Sequence, residues 1–320
     1  MTVAVGMIGM GGVFGLAVLL GRYLVPRLAY WKLGQEIRQD GPEMHREKAG
    51  TPTMGGAIFL LPVLAVSLFL PLRELWLPVL ALLSFGFLGF LDDWQKIRKR
   101  ENEGLSVRQK FAGQIGLALT LAVLSYVGDP ASRSLFLFAG SQTFHPGWPK
   151  IALDALMLVS VANACNLTDG LDGLAALSTA PILLALAGIA YILGRTGHVL
   201  FLVFFVAALA GFFVYNRYPA RVFMGDTGSL ALGAVVGAVA MQMGLTVSLV
   251  LLCGLWVMET ASVILQVAYF RATGGSRLFR MAPLHHHFEL SGWPEQKVVR
   301  LFALCSSVFA GVGLLVFWLW

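Results

Sequence analysis

The stretch IALDALMLVSVANACNLTDGLDGLAALSTAPILLALAGIAYIL, residues 151–193, sets two apolar runs on either side of a polar hinge. The runs, 151–168 and 173–193, each match the roughly 17–25 residues that cross a bilayer as a helix. Between them, Asn166-Leu167-Thr168-Asp169-Gly170-Leu171-Asp172-Gly173 carries two carboxylates and is punctuated by glycine. Burying a charge at such a boundary is costly, so the acidic residues need a reason to be there. At i, i+3 spacing Asp169 and Asp172 would share one face of a helix, and a surface ion-pair role is the plainer alternative.

The same pattern extends over the chain. Of 320 residues, 58% are hydrophobic and 12% charged, against about 25% charged in a soluble domain. Ten spans are expected, at about 2–21, 54–72, 75–91, 111–128, 151–168, 173–193, 199–215, 227–247, 249–270 and 299–320. The fold class is therefore all-α, a polytopic membrane protein forming one domain over 1–320. The first run lacks a basic leader and a small-residue cleavage site, and reads as a retained helix. Cys165, Cys253 and Cys305 fall in apolar stretches at unpatterned spacings and read as packing residues, with no disulfide framework or zinc site implied.

Basic residues orient the bundle. The loops after the odd-numbered spans, together with Arg300 at the start of the tenth span, hold 19 of the 23 Lys and Arg residues, which makes those loops cytoplasmic and places both termini on the periplasmic side. The net charge of +6 is then a topology signal with attraction to anionic membrane lipid, and no nucleic acid is needed as a partner.

With that orientation, three acidic stations fall on the cytoplasmic face: Asp92-Asp93, Asp169 with Asp172, and Asp226. Each has a plainer reading alone, as a charge run at a helix end, a surface ion pair or an N-terminal cap. Together, five carboxylates at one membrane face call for a cation, because like charges repel. Mg2+ suits them, since it takes one or two carboxylates along with phosphate oxygens. Phe223-Met224-Gly225-Asp226-Thr227-Gly228-Ser229 adds glycines and hydroxyls at a helix start, where free N–H groups favour anions.

In the first cytoplasmic loop, Lys48 beside Thr51 and Thr53 suits a diphosphate, with a solvated basic loop as the alternative. The last loop carries His285-His286-His287; phosphate hydrogen bonding or acid–base work suits it better than zinc. Glu259 lies deep in a span, roughly 18 Å along a continuous helix from Arg271. Either it lines a polar interior or its helix breaks and brings it toward the site; an interhelical hydrogen bond remains the plain alternative. Glu259 is the only mid-span candidate for ion coupling, and no internal repeat is visible, which argues against a transporter.

The strings GPEMHREKAGTPTMGG (41–56), FLDDWQK (90–96), NACNLTDGLDGLA (163–175), NRYPARVFMGDTGS (216–229) and MAPLHHHFE (281–289), in that order and spacing, resemble the phospho-N-acetylmuramoyl-pentapeptide-transferase family over nearly the whole chain. The resemblance implies an Mg2+-dependent enzyme of the bacterial cytoplasmic membrane. It implies UDP-MurNAc-pentapeptide as donor, undecaprenyl phosphate as acceptor, and lipid I and UMP as products. A GlcNAc-1-phosphate transferase is the runner-up, and a homodimer is left open. By motif, the resemblance makes Asp226 the metal ligand and puts Asp92 and Asp93 near the acceptor phosphate, with His285 also catalytic. Lys48, Gly170, Leu171, Asp172, Asn216 and Phe223 are implied on the nucleotide side, with Phe223 stacking on uracil. Lys96, Lys110, Asn163, Asn166, Asp169, His286 and His287 are implied in the remaining shell.

Overall fold

Apolar runs in a bilayer must satisfy their backbone internally, and helices do so. The computed structural model describes residues 2–31, 48, 50–99, 104–136 and 143–319, and its elements are helical apart from one small hairpin. They are α1 (Thr2–Tyr30), α2 (Ala57–Ser67), α3 (Leu72–Lys99), α4 (Val107–Gly128), α5 (Pro149–Thr168) and α6 (Leu174–Ile192). There follow α7 (Thr196–Asn216), α8 (Gly225–Gln242), α9 (Leu249–Leu252), α10 (Gly254–Ala272), α11 (Leu284–Glu289) and α12 (Glu295–Leu319). Strands β1 (Leu135–Phe136) and β2 (Thr143–Phe144) pair antiparallel. Residues 41–47 of the first loop lie outside the described residues.

Among the described residues, α1, α3, α4, α5, α6, α7 and α12 are the seven helices long and apolar enough to cross a membrane. Three expected spans fall short of that measure for physical reasons. Helix α2 has 11 residues, α8 includes Asp226 and Gln242, and α10 includes Glu259 and Gln266. The expected ninth span is also interrupted at Cys253, between α9 and α10. Helix α3 instead overruns its apolar run by two turns, carrying Asp92, Asp93 and Lys96 on helical backbone.

Local signals explain several boundaries. Ser106 and Gln109 form a reciprocal capping box that starts α4, and Pro149 opens α5 at a position that needs no N–H donor. Asp169 and Asp172 do not share a helical face, contrary to the spacing argument. Helix α5 ends at Thr168, and Gly173 at φ +81° separates it from α6.

Helix α8 is the axis of the bundle, with every residue from Asp226 to Gln242 buried. Small residues let neighbours approach it closely: Gly233 meets the backbone of Val161 and Ala162 on α5. Gly89 of α3 lies against the Asp226 backbone so closely that a Cβ would collide with it. Around this axis, α1, α4 and α12 turn Leu16, Leu19, Leu119, Val123, Leu304 and Leu315 outward, apolar surface suited to lipid contact.

At the end of α5 far from Asp169, Lys150 and Asp154 form a fully buried ion pair of 2.6 Å. Asp154 also accepts from the Thr246 hydroxyl at 2.6 Å, tying α5 to the segment after α8. Lys150→Met strands the Asp154 charge and is expected to cost about 3–5 kcal/mol, whereas Lys150→Met with Asp154→Leu recovers most of it. Thermal unfolding of the detergent-solubilised protein measures both; equal losses in the two variants would contradict this account.

Candidate active site at one end of the bundle

Helix α8 begins inside protein, and its first N–H groups need acceptors that water does not supply. Asp93 of α3 provides them. Its carboxylate accepts from Asp226 N (3.1 Å), Thr227 N (2.9 Å) and the Thr227 hydroxyl (2.7 Å). The helix start was expected to present free N–H groups to a ligand anion; at Asp226 and Thr227 the anion already in place is Asp93. Gly225, at φ +73°, makes this approach feasible, since a Cβ there would stand 2.6 Å from an Asp93 oxygen.

The cap brings Asp226 beside Asp92. Ligand oxygens of Asp92, Asp93 and Asp226 lie within 4.8 Å of one another. Lys96 Nζ sits 2.6 Å from Asp92 Oδ2 and 3.1 Å from Asp226 Oδ2. Lys110 pairs directly with Asp226 and lies 3.6 Å from Asp92. Asn166 donates to Asp226 Oδ1 and to Ser229 Oγ, each at 2.8 Å. Leu105 N donates to Asp92 Oδ1 at 3.0 Å, holding that carboxylate from the other side. Two ammonium groups face three carboxylates, so negative charge is left over. Asp169 holds back from adding to it: burial, then the nearby carboxylates of Asp226, Asp93 and Asp172, push its carboxyl well above the usual range and favour the neutral form.

A second cluster forms around the turn after α5. Lys48 Nζ reaches Asp172 at 2.7 Å and Glu295 at 2.6 Å. Glu295 also accepts from Asp172 N (2.8 Å), while Asp172 accepts from Ala220 N (2.9 Å). Asn216 brackets the same turn, accepting from Gly173 N and donating to Val222 O. The Leu171 side chain packs with Leu174, Leu255 and Val298, and its carbonyl accepts from Leu174 N at 3.0 Å. Phe223 is half-buried, its backbone paired with Pro52 and Gly55.

The histidines divide. His285 is buried, with Nδ1 2.8 Å from Glu259 Oε2 and Nε2 against Gly170. His286 Nδ1 lies 2.8 Å from Glu289, and His287 Nδ1 accepts from Arg280 N at 3.2 Å. Asn163, one turn before Asn166, exchanges hydrogen bonds with Gln114. Helix α10 runs unbroken past Glu259; the chain beyond it folds back instead and carries His285 to the carboxylate. Glu295 and Gln114 escaped the sequence reading. Pro294-Glu295 is an ordinary acidic helix start, and nothing in its spacing points to Lys48.

Two expectations follow. Asp93→Ala removes the cap of α8 and should lower stability by about 0.5–2 kcal/mol, with Asp93→Asn retaining part of it; unchanged thermal unfolding would contradict the cap. Glu295, Asp172 and their hydrogen bonds outweigh burial and raise the Lys48 ammonium above its ordinary 10.5. Such a group contributes stability that is whole below its ordinary value and is lost as pH climbs through the raised one. Lys48→Met should therefore cost about 1.5–3 kcal/mol, by the same amount from about pH 6 to pH 9. A difference that varies across that window in thermal unfolding would refute the link.

Residues 75–244 match the family model described as Glycosyl transferase family 4, and residues 48–60 match phospho-N-acetylmuramoyl-pentapeptide-transferase signature 1. The two matched regions hold Lys48, the carboxylate cluster and the turn after α5. The chain is 45% identical over 318 residues to the phospho-N-acetylmuramoyl-pentapeptide-transferase of Desulforamulus reducens, covering 96% of this chain and 95% of the relative. It is 42% identical to that of Shouchella clausii, with 94% of each chain covered, and 42% identical to that of Geobacillus thermodenitrificans, with 96% of each covered. A bundle that keeps its acidic and basic residues together within these matched regions, at such identity over nearly its full length, belongs to the phospho-N-acetylmuramoyl-pentapeptide-transferase family.

Proposed function

We propose that the protein transfers phospho-N-acetylmuramoyl-pentapeptide from UDP-MurNAc-pentapeptide to undecaprenyl phosphate, giving lipid I and UMP. The observation that carries this reading is the cluster of Asp92, Asp93, Asp226, Lys96 and Lys110 at one end of a membrane bundle of this family. Two polyanions must meet there, and preorganised charge is what lets them. The site faces the cytoplasm of a bacterial inner membrane in a ten-span arrangement with periplasmic termini; the Lys/Arg asymmetry supports that orientation.

The residues suit Mg2+: three converging carboxylates exceed the charge of their two lysines. Asp226 would hold the ion with Asp92 beside it, while both Asp93 oxygens accept from the start of α8. When bound, the ion offsets charge on the donor diphosphate as its bridging bond breaks. Lys48, fixed by Asp172 and Glu295, takes the nucleotide side, and the half-buried ring of Phe223 is available for stacking on uracil. Asp92 orients the acceptor phosphate or takes its proton, and Lys96 and Lys110 neutralise the transferring group. An acceptor phosphate oxygen attacks the phosphorus next to the sugar in line, and UMP departs. Trp94, Phe111 and Ile115 expose apolar surface on the two helices that carry Asp92 and Lys110, so lipid lies beside the site.

Purified protein with radiolabelled UDP-MurNAc-pentapeptide and undecaprenyl phosphate is expected to form a lipid-linked product only when Mg2+ is present. Asp226→Ala should lower the rate by at least about 10³-fold. No lipid-linked product, activity indifferent to Mg2+, or activity untouched by Asp226→Ala would each sink the corresponding part. A kinetically competent phosphosugar adduct on Asp92 would replace direct attack with a two-step route.

A further inference from the structure

The face of α10 that looks into the bundle carries Leu255, Glu259 and Gln266, spaced at i, i+4 and i+11 on one helical stripe. Each does a different job. Leu255 packs with Leu171 and Leu174, fixing α10 against the turn after α5. Gln266 catches the returning chain, accepting from Leu278 N (3.1 Å) and Phe279 N (2.8 Å) and donating to Phe279 O (3.1 Å). Glu259 lies between them, fully buried, with Oε2 2.8 Å from His285 Nδ1.

A carboxylate ion can only accept hydrogen bonds, so Nδ1 of His285 must carry the proton between them. That fixes the ring's orientation and leaves Nε2 as its one open position. Nε2 is buried and has no hydrogen-bond partner among the described residues, and neither has Glu259 Oε1. Nε2 points at Gly170, where any side chain would collide with it. Gly170 follows Asp169, which feels the Asp226 cluster, and precedes Asp172, which holds Lys48. The open nitrogen therefore sits between the nucleotide side and the transfer side. A ring that already donates from Nδ1 can donate from Nε2 as well only when it carries both protons.

We propose that Glu259 is a positioning residue for donor binding: it holds His285 as a doubly protonated ring whose Nε2–H donates to a diphosphate oxygen of the UDP-linked donor at Gly170. The donor's identity rests on the transfer reading above. Glu259 touches no substrate and acts through His285 alone.

The tests separate this role from simple support of the helix. Glu259→Leu is expected to raise the donor KM by about 10- to 100-fold, the range of one hydrogen bond to a charged group, with the acceptor KM within about twofold. Glu259→Gln, which keeps an acceptor oxygen for Nδ1–H but not the charge that balances the ring, should restore only part of the loss. In a His285→Ala background Glu259→Leu should add nothing, because the two act as one unit. Additive losses, or equal rises in both KM values, would overturn the proposal. Nitrogen-15 spectra of histidine-labelled wild type, with the signal assigned by its absence in His285→Gln, need no folded Glu259 variant. They should show both ring nitrogens of His285 protonated, and a bare Nε2 would overturn the proposal. A wild type that makes no lipid-linked product refutes the transfer reading and the donor assignment with it. An active wild type whose donor KM ignores Glu259→Leu refutes this inference alone.

Discussion

The site hangs on one carboxylate, that of Asp93, accepting from the first N–H groups of α8. A helix start carries unsatisfied donors and the positive end of the helix dipole, and neither can be left bare inside a bundle. Because the acceptor comes from α3, the cap fixes the two helices in axial register. Gly89, one turn earlier on α3, allows the backbones to close on each other. Asp92 and Asp226 then face one another without either helix having to bend. An anion used as a structural clamp thus brings two further anions together.

The crowding is electrostatically expensive, and the surrounding side chains are arranged to bear it. Lys96 reaches across from the same helix as Asp92, while Lys110 and Asn166 approach Asp226 from α4 and α5. Amide and hydroxyl groups complete the shell, so the carboxylates keep fixed directions instead of relaxing apart. Charge is held in place here. That is the preorganisation that phosphoryl transfer needs most.

Much of this was legible in the sequence, and the parts that were not share a cause. Apolar length marks helices because the bilayer leaves the backbone no other option, so α1, α4, α5, α6, α7 and α12 stand where the runs do. Asp92, Asp93, Asp169, Asp172 and Asp226 were read as falling at one face, and the structure divides them between two clusters. What a carboxylate touches does not follow from its own neighbourhood. Nothing in the neighbourhood of Asp93 showed that it caps α8, and Glu295 read as nothing yet binds Lys48 from 247 positions away. Asp169 and Asp172 were misjudged locally, since Gly173 at a left-handed φ ends the periodicity that the i, i+3 rule assumes. His285 and Glu259 were each conspicuous, yet their union depends on a loop returning through Gln266, which no spacing reveals.

The Lys48 link also has a bearing on time. Lys48 leaves the ribosome early, Asp172 is 124 residues later, and Glu295 follows near the start of the last helix. Chains are made and inserted from the N-terminus onward. Until α12 enters, Asp172 lacks the carboxylate that accepts from its N–H, Lys48 lacks its second anion, and Leu171 lacks Val298 and Phe302. The carboxylate cluster of α3 and α8 can assemble without α12, but the Lys48–Asp172–Glu295 cluster cannot. A partly synthesised chain therefore carries one of its two charge clusters without the other, and the pair is complete only once α12 is in place.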